Sequence, residues 1–103
     1  MIKKINVSVS GLGVGEKHAK HIKDNINTNL VSIFDNNLRK KIKKAEDLNT
    51  KYTKTFKELS LNKNCDLVII ASPDHAHYNQ IIQSLKNKKH IFIEKPICNN
   101  IRE

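Results

Sequence analysis

The sequence predicts a doubly wound parallel α/β sheet, and three observations carry that prediction. An apolar, β-branched run, Ile5 to Val9, leads directly into a glycine turn, Gly11-Leu12-Gly13-Val14-Gly15, and then into a segment with helical spacing. Strand-like and helix-like stretches alternate along the whole chain. The most apolar run, Asp66-Leu67-Val68-Ile69-Ile70-Ala71, is continuous rather than alternating, as in a strand buried on both faces by crossover helices.

The first strand spans Ile2 to Ser10, where Ile5, Val7 and Val9 alternate with polar residues. After the glycines, Ala19, Ile22 and Ile26 recur at helical spacing, which predicts a helix from Glu16 to Ile26, and Asn27 to Asn29 offer turn chemistry. The second strand is Leu30 to Phe34, ending in Asp35, with a helix from Asn36 to Leu48 behind it. Lys51 to Phe56 mixes β-prone residues with lysines, as a short edge strand does, and Lys57 to Leu61 follows as a turn of helix. Asp66 to Ala71 is the fourth strand. Past Ser72-Pro73-Asp74-His75-Ala76-His77 lies a helix with Tyr78, Ile81, Ile82 and Leu85 on one side, where Ile81, Ile82 and Leu85 read as ordinary core. His90 to Ile93 is the fifth strand, followed by Glu94-Lys95-Pro96.

Parallel strands joined by right-handed crossovers place these elements in the order 3-2-1-4-5, three layers deep. Strands one and four then meet at the switch point. A ligand crevice opens above their carboxyl ends, between Gly11 to Gly15 and Ser72 to His77.

Composition narrows the function. At 103 residues the chain reads as one domain, small for a complete dinucleotide-dependent enzyme. No apolar run reaches bilayer length, and Met1 to Asn6 turns polar too early for a signal peptide, so a soluble, cytoplasmic protein is expected. Cys65 and Cys98 fit no zinc or disulfide pattern. The net charge of +9 comes from lysines scattered over the chain together with abundant Asn and Ile, and few aromatics accompany them. Such unpatterned charge is a solvated surface, so neither nucleic acid nor a membrane is expected as partner.

A glycine turn between strand and helix suits a pyrophosphate, because the main chain approaches the phosphates closely and the first helical amides are free to bind anionic oxygens. Asp35 lies 20 residues beyond Gly15, where such a fold places the acid that holds the adenosine ribose; as a strand-end Asp it also suits an N-cap. A carboxylate there favours NAD over NADP, although Arg39 and Lys40 nearby keep NADP open. His75 and His77 form one H-x-H with Asp74 beside it, too few ligands for a metal site.

With these motifs in place, the chain resembles the N-terminal domain of the Gfo/Idh/MocA family of NAD(P)-dependent oxidoreductases, a Rossmann-type fold. The resemblance rests on Gly11 to Gly15 with His18-Ala19, on Ser72-Pro73-Asp74-His75-Ala76-His77, and on Glu94-Lys95-Pro96. It implies that Gly11, Gly13, Val14 and Gly15 cradle the pyrophosphate and that Asp35 holds the ribose. Ser72, Pro73, Asp74 and His77 would line the middle and nicotinamide side. Glu94 and Lys95 would sit beside the nicotinamide, with Lys95 as the catalytic residue that polarises or deprotonates a substrate hydroxyl. The Lys95–Pro96 bond would be cis, as is typical of the family.

Two departures stand against the resemblance. The third glycine comes one residue early, with Glu16 in its expected place, which implies a shorter turn. The family's second domain, which binds a sugar, inositol or related polyol, has no counterpart after Pro96. The chain is therefore expected to bind cofactor and to take a polyol substrate only when a second domain is supplied. The alternative is a stand-alone or vestigial nucleotide-binding module. In either case the fifth strand would be an uncovered apolar edge, which leaves a homo-oligomer open.

Overall fold

The computed structural model describes residues 4–13, 15–72 and 74–93, the side chains of 74–77 excepted. They form one five-stranded sheet in the order β3-β2-β1-β4-β5, with every neighbouring pair parallel. The strands are β1 (Ile5–Ser10), β2 (Thr28–Phe34), β3 (Lys51–Tyr52), β4 (Leu67–Ile70) and β5 (His90–Ile93). Between them run α1 (Gly15–Asp24), α2 (Leu38–Asp47), α3 (Phe56–Leu61) and α4 (Asp74–Lys86).

Two cores cover the two faces of the sheet. On one, Val7, Val9, Leu12, Ile33 and Ile69 meet Ala19 of α1 and Ala45 of α2. On the other, Phe34, Val68 and Ile70 meet Phe56 and Leu59 of α3, with Ile81 of α4 at the margin. Each fully buried Leu or Ile contributes about 1.5–3 kcal/mol, so the central strands anchor the domain. Cys65 is a buried free thiol whose Sγ donates to the Leu67 carbonyl at 3.3 Å.

Polar residues set the element boundaries, and several differ from the sequence expectation. Helix α1 stops at Asp24 because the Thr28 hydroxyl takes the Ile22 carbonyl at 2.8 Å; Ile26 falls beyond it and is 81% exposed rather than core. Strand β2 starts two residues earlier than expected, since Thr28 and Asn29 pair with Ile5 and Asn6. Helix α2 begins at Leu38, not Asn36. Its N-cap is Asn37, whose side chain accepts from the Lys40 amide at 3.0 Å, so Asp35 is not the cap. Strand β3 shrinks to two residues because Thr55 caps α3 and diverts Phe56 into the core, edge-on to Phe34.

The alternating pattern of β1 gives only half of its environment. Ser8 and Ser10 are as buried as Val7 and Val9. Each hydroxyl has a partner: Ser8 bonds Ser32 at 2.8 Å, and Ser10 donates to Gln80 at 2.9 Å. A strand with serines on one face is therefore covered on both, with the serines satisfied internally.

Helix α4 reverses the expectation most clearly. Tyr78, Ile82 and Leu85 are exposed, while Gln80 and Ser84 are buried. Ile81 alone of the apolar stripe packs partly against the core. The inward turn meets the hydroxyls of Ser10 and Ser72, and a polar acceptor there avoids leaving two buried hydroxyls unbonded.

Candidate cofactor-binding site

The three glycines of the turn have different physical reasons to be glycine. Gly11 has φ +92°, and a Cβ there would lie 2.5 Å from the Ala71 carbonyl and the Ser72 nitrogen. The ends of β1 and β4 touch at that point. Gly15 opens α1, and its Cβ would lie 3.1 Å from Val9 and 3.2 Å from Ala71, so it sets how closely helix and sheet pack. Gly13 is exposed, and its Cβ would meet only Lys40 Nζ, at 3.9 Å. Nothing in the fold demands a glycine at Gly13. The space a side chain would fill is open, as a closely approaching pyrophosphate requires.

Asp35 closes the turn from the end of β2. Its Oδ2 accepts from the Leu12 amide at 2.8 Å, and its Oδ1 accepts from the Asn37 amide at 2.8 Å. Two further backbone bonds, Gly11 N to Phe34 O and Ala71 N to Ser10 O, both 2.8 Å, knit the ends of β2, β1 and β4 into one rim. Each carboxylate oxygen keeps acceptor capacity for a ribose hydroxyl.

Ser72 stands on the other side of Gly11. It is buried, and its hydroxyl donates to Gln80 Oε1 at 2.8 Å, the same oxygen that accepts from Ser10. Gln80 thus ties the ends of β1 and β4 to α4 and fixes the backbone at the switch point. Ser72 offers a ligand its main chain more readily than its hydroxyl.

The expected site residues Gly11, Gly13, Gly15, Asp35 and Ser72 therefore converge at the carboxyl ends of β1, β2 and β4. Asp74 and His77 fall in the first turn of α4, with side chains outside the described ones. Val14, Pro73, Glu94 and Lys95 lie outside the described residues, as do Pro96 and Cys98. His18 packs edge-on against Phe92 of β5, with ring centres 5.7 Å apart. Among the described residues, no three His, Cys, Asp or Glu side chains gather as metal ligands, and no helix is long and apolar enough to cross a membrane.

Glu16, standing where a third glycine was expected, turns away from the site. It pairs with Lys44 at 2.9 Å and with Lys20 at 3.4 Å, bracing α1 against α2. The Lys44 ammonium holds the Glu16 carboxyl below its ordinary value, with Lys20 adding to the effect. Gln80 carried no sequence signal, because a lone glutamine on a helix reads as solvent-facing. Asn37 had one: a short polar side chain three residues before the Lys40 amide that it caps.

Comparison with known proteins agrees with this geometry. The sequence model of the Gfo/Idh/MocA group, described as an oxidoreductase family with an NAD-binding Rossmann fold, matches residues 5–103. The chain is 33% identical to 2,7-anhydro-N-acetylneuraminate hydratase of Escherichia coli over 91% of its length and 25% of that protein. It is 32% identical to myo-inositol 2-dehydrogenase of Thermotoga maritima over 96% of its length and 30% of that protein. The crystal structure of apo scyllo-inositol dehydrogenase from Lactobacillus casei superposes with a TM-score of 0.89 at 28% identity, covering 99% of this chain and 31% of that one. The chain thus spans between a quarter and a third of the length of these relatives.

Proposed function

This chain belongs to the Gfo/Idh/MocA oxidoreductase family and is its NAD-binding Rossmann domain, and we propose that it holds the cofactor for hydride transfer to or from a hydroxyl-bearing carbon of a sugar, inositol or related polyol. One observation carries the binding half of this reading: Gly13 is open and exposed between two glycines that the fold itself requires, with Asp35 locked beside it. The names of the relatives, an inositol dehydrogenase and a hydratase of a sugar acid, support a polyhydroxylated substrate.

In this reading Gly11, Gly13, Val14 and Gly15 contact the pyrophosphate, and Asp35 the adenosine ribose. Ser72, Pro73, Asp74, His77 and Glu94 line the remainder. Bound NAD supplies the hydride acceptor when an alcohol is oxidised. Lys95, two positions after Ile93 in the sequence, takes the proton of the substrate hydroxyl. A lysine accepts a proton only when neutral, a form that desolvation or neighbouring positive charge favours. Positioning of the substrate falls to groups beyond those described, and such positioning carries much of the rate in hydride transfer.

Calorimetric titration of this chain with NAD tests the binding half. Saturable one-site binding is the expected result, and no binding at millimolar NAD overturns it. The catalytic half is tested on the complete native gene product, with a panel of inositols and sugars and the absorbance of reduced nicotinamide as readout. Loss of turnover in Lys95→Ala with NAD binding retained is expected. Full turnover in that variant removes Lys95 from the chemistry.

A further inference from the structure

Helix α2 and the edge strand β3 carry an apolar patch at the end of the sheet away from β5. Leu38, Ile42 and Tyr52 are 58%, 43% and 42% exposed, and Ile42 and Tyr52 share a groove of about 540 Å³ with Ala45, Glu46 and Thr50. Leu38, Ile42 and Glu46 are each four residues apart, so they form one ridge along the outer side of α2. The buried Lys41 holds the Tyr52 ring from beneath, with Nζ 5.4 Å from the ring centre and a bond to the Lys54 carbonyl at 3.4 Å. Such a ring has little freedom left to lose on binding.

The charges on that face are ordered. Arg39 stands in the first turn of α2 and Glu46 in the last, two turns apart on one side of the helix, with Ile42 between them. Arg39, Lys40 and Lys41 open the helix and Glu46 and Asp47 close it, the reverse of what the macrodipole favours; Lys44, near that end, is paired with Glu16. The helix by itself does not account for this order. Arg39 and Glu46 are both exposed, and the described ion pairs, those of Glu16 with Lys20 and Lys44, engage neither. A second α2 laid antiparallel across the first answers both mismatches, because the acidic end of each helix then meets the basic end of the other.

We propose that this face is the contact surface for a second copy of the chain, in a two-fold pair whose α2 helices cross antiparallel at Ile42. Ile42 meets Ile42 of the second copy, flanked by Leu38 and Tyr52, and Arg39 of each copy pairs with Glu46 of the other. A second copy fits where an unrelated partner has no such claim, because half a turn about Ile42 brings Arg39 against Glu46 twice, which is the self-complementarity a two-fold interface requires. The surface lies at the opposite edge of the sheet from β5, and the inference does not depend on what the glycine turn holds.

Sedimentation velocity on the chain between about 10 μM and about 1 mM reads the pair, with thermal melting to confirm folding. Wild type should pass from monomer to dimer within that range. Ile42→Glu, at an exposed position, should melt as wild type does and weaken the dimer by about tenfold or more. Arg39→Glu and Glu46→Arg should each weaken it likewise, since either change sets two like-charged pairs in place of two opposite ones. An equimolar mixture of Arg39→Glu with Glu46→Arg should dimerise again, because every pair across that interface is then opposite in charge. A wild type that stays monomeric to the top of the range overturns the inference and leaves the proposed function standing. Dimers that survive Ile42→Glu overturn it too and put the contact elsewhere, with the β5 edge as the first alternative. Single charge variants that dimerise as wild type does, or a mixture that stays monomeric, overturn the antiparallel pair.

Discussion

The Asp35 carboxylate accepts the Leu12 amide at 2.8 Å, across 23 residues of sequence, and so joins the end of β2 to the tip of the glycine turn. The acid that faces the ribose in the proposed function is thus also the clamp that shapes the turn. Asp35→Ala should cost about 1–3 kcal/mol in folding stability, because two amides lose a charged acceptor at a half-buried site. It should weaken NAD binding as well, and Asp35→Asn, which keeps one acceptor oxygen, should recover more stability than affinity. Urea unfolding and calorimetry on the same samples separate the two effects.

The glycines should divide by role under mutation. Gly11→Ala puts a methyl group 2.5 Å from main-chain atoms of Ala71 and Ser72 at a φ of +92°, and a backbone contact cannot be relieved by a rotamer change. A loss of about 3 kcal/mol or more is expected, a large share of a small domain's stability. Gly13→Ala meets nothing closer than Lys40 Nζ at 3.9 Å, so its melting should shift little. Its NAD affinity should fall by about tenfold or more, since the methyl group takes the space left for the pyrophosphate. If Gly13→Ala binds NAD as wild type does, the open space at Gly13 has another use.

The strand order and the rim of the site were legible because they rest on local rules. Apolar runs, a glycine turn after the first strand, and an acid after the second are each short-range patterns, and right-handed crossover fixes how they assemble. What was not legible depended on partners far away in sequence. Ile26 lost its place in a helix to the bond of Thr28 with Ile22, and Phe56 left a strand for a helix because Thr55 caps it. The inversion of α4 could not be read at all, since the reason to bury Gln80 lies at Ser10, 70 residues earlier. The Glu94-Lys95-Pro96 expectations lie outside the described residues.

Gln80 makes a separable test of the polar switch point. Gln80→Leu matches the apolar logic of a buried helix position but leaves the hydroxyls of Ser10 and Ser72 without their acceptor. The expected cost is about 2–3 kcal/mol, and adding Ser10→Ala should return part of it, because removing both partners of a buried bond is less harmful than removing one. Equilibrium unfolding of the single and double variants measures this coupling. Strict additivity of the two changes would mean that the bond does not tie β1 to α4.

Acid should release the brace between α1 and α2. The Lys44 ammonium, with Lys20, holds the Glu16 carboxyl below its ordinary value, so the folded state binds this proton less readily than the unfolded chain does. A depressed carboxyl adds stability above its unfolded value, and that contribution disappears as pH falls through the folded value. Wild type should therefore melt above Glu16→Gln near neutral pH, and the two curves should merge once the pH has fallen through the lowered value of the folded Glu16 carboxyl. The difference should be small and should shrink in molar salt, because both cations are reached through solvent-accessible side chains. A gap that persists unchanged into strong acid would show that Glu16 acts by packing rather than by charge.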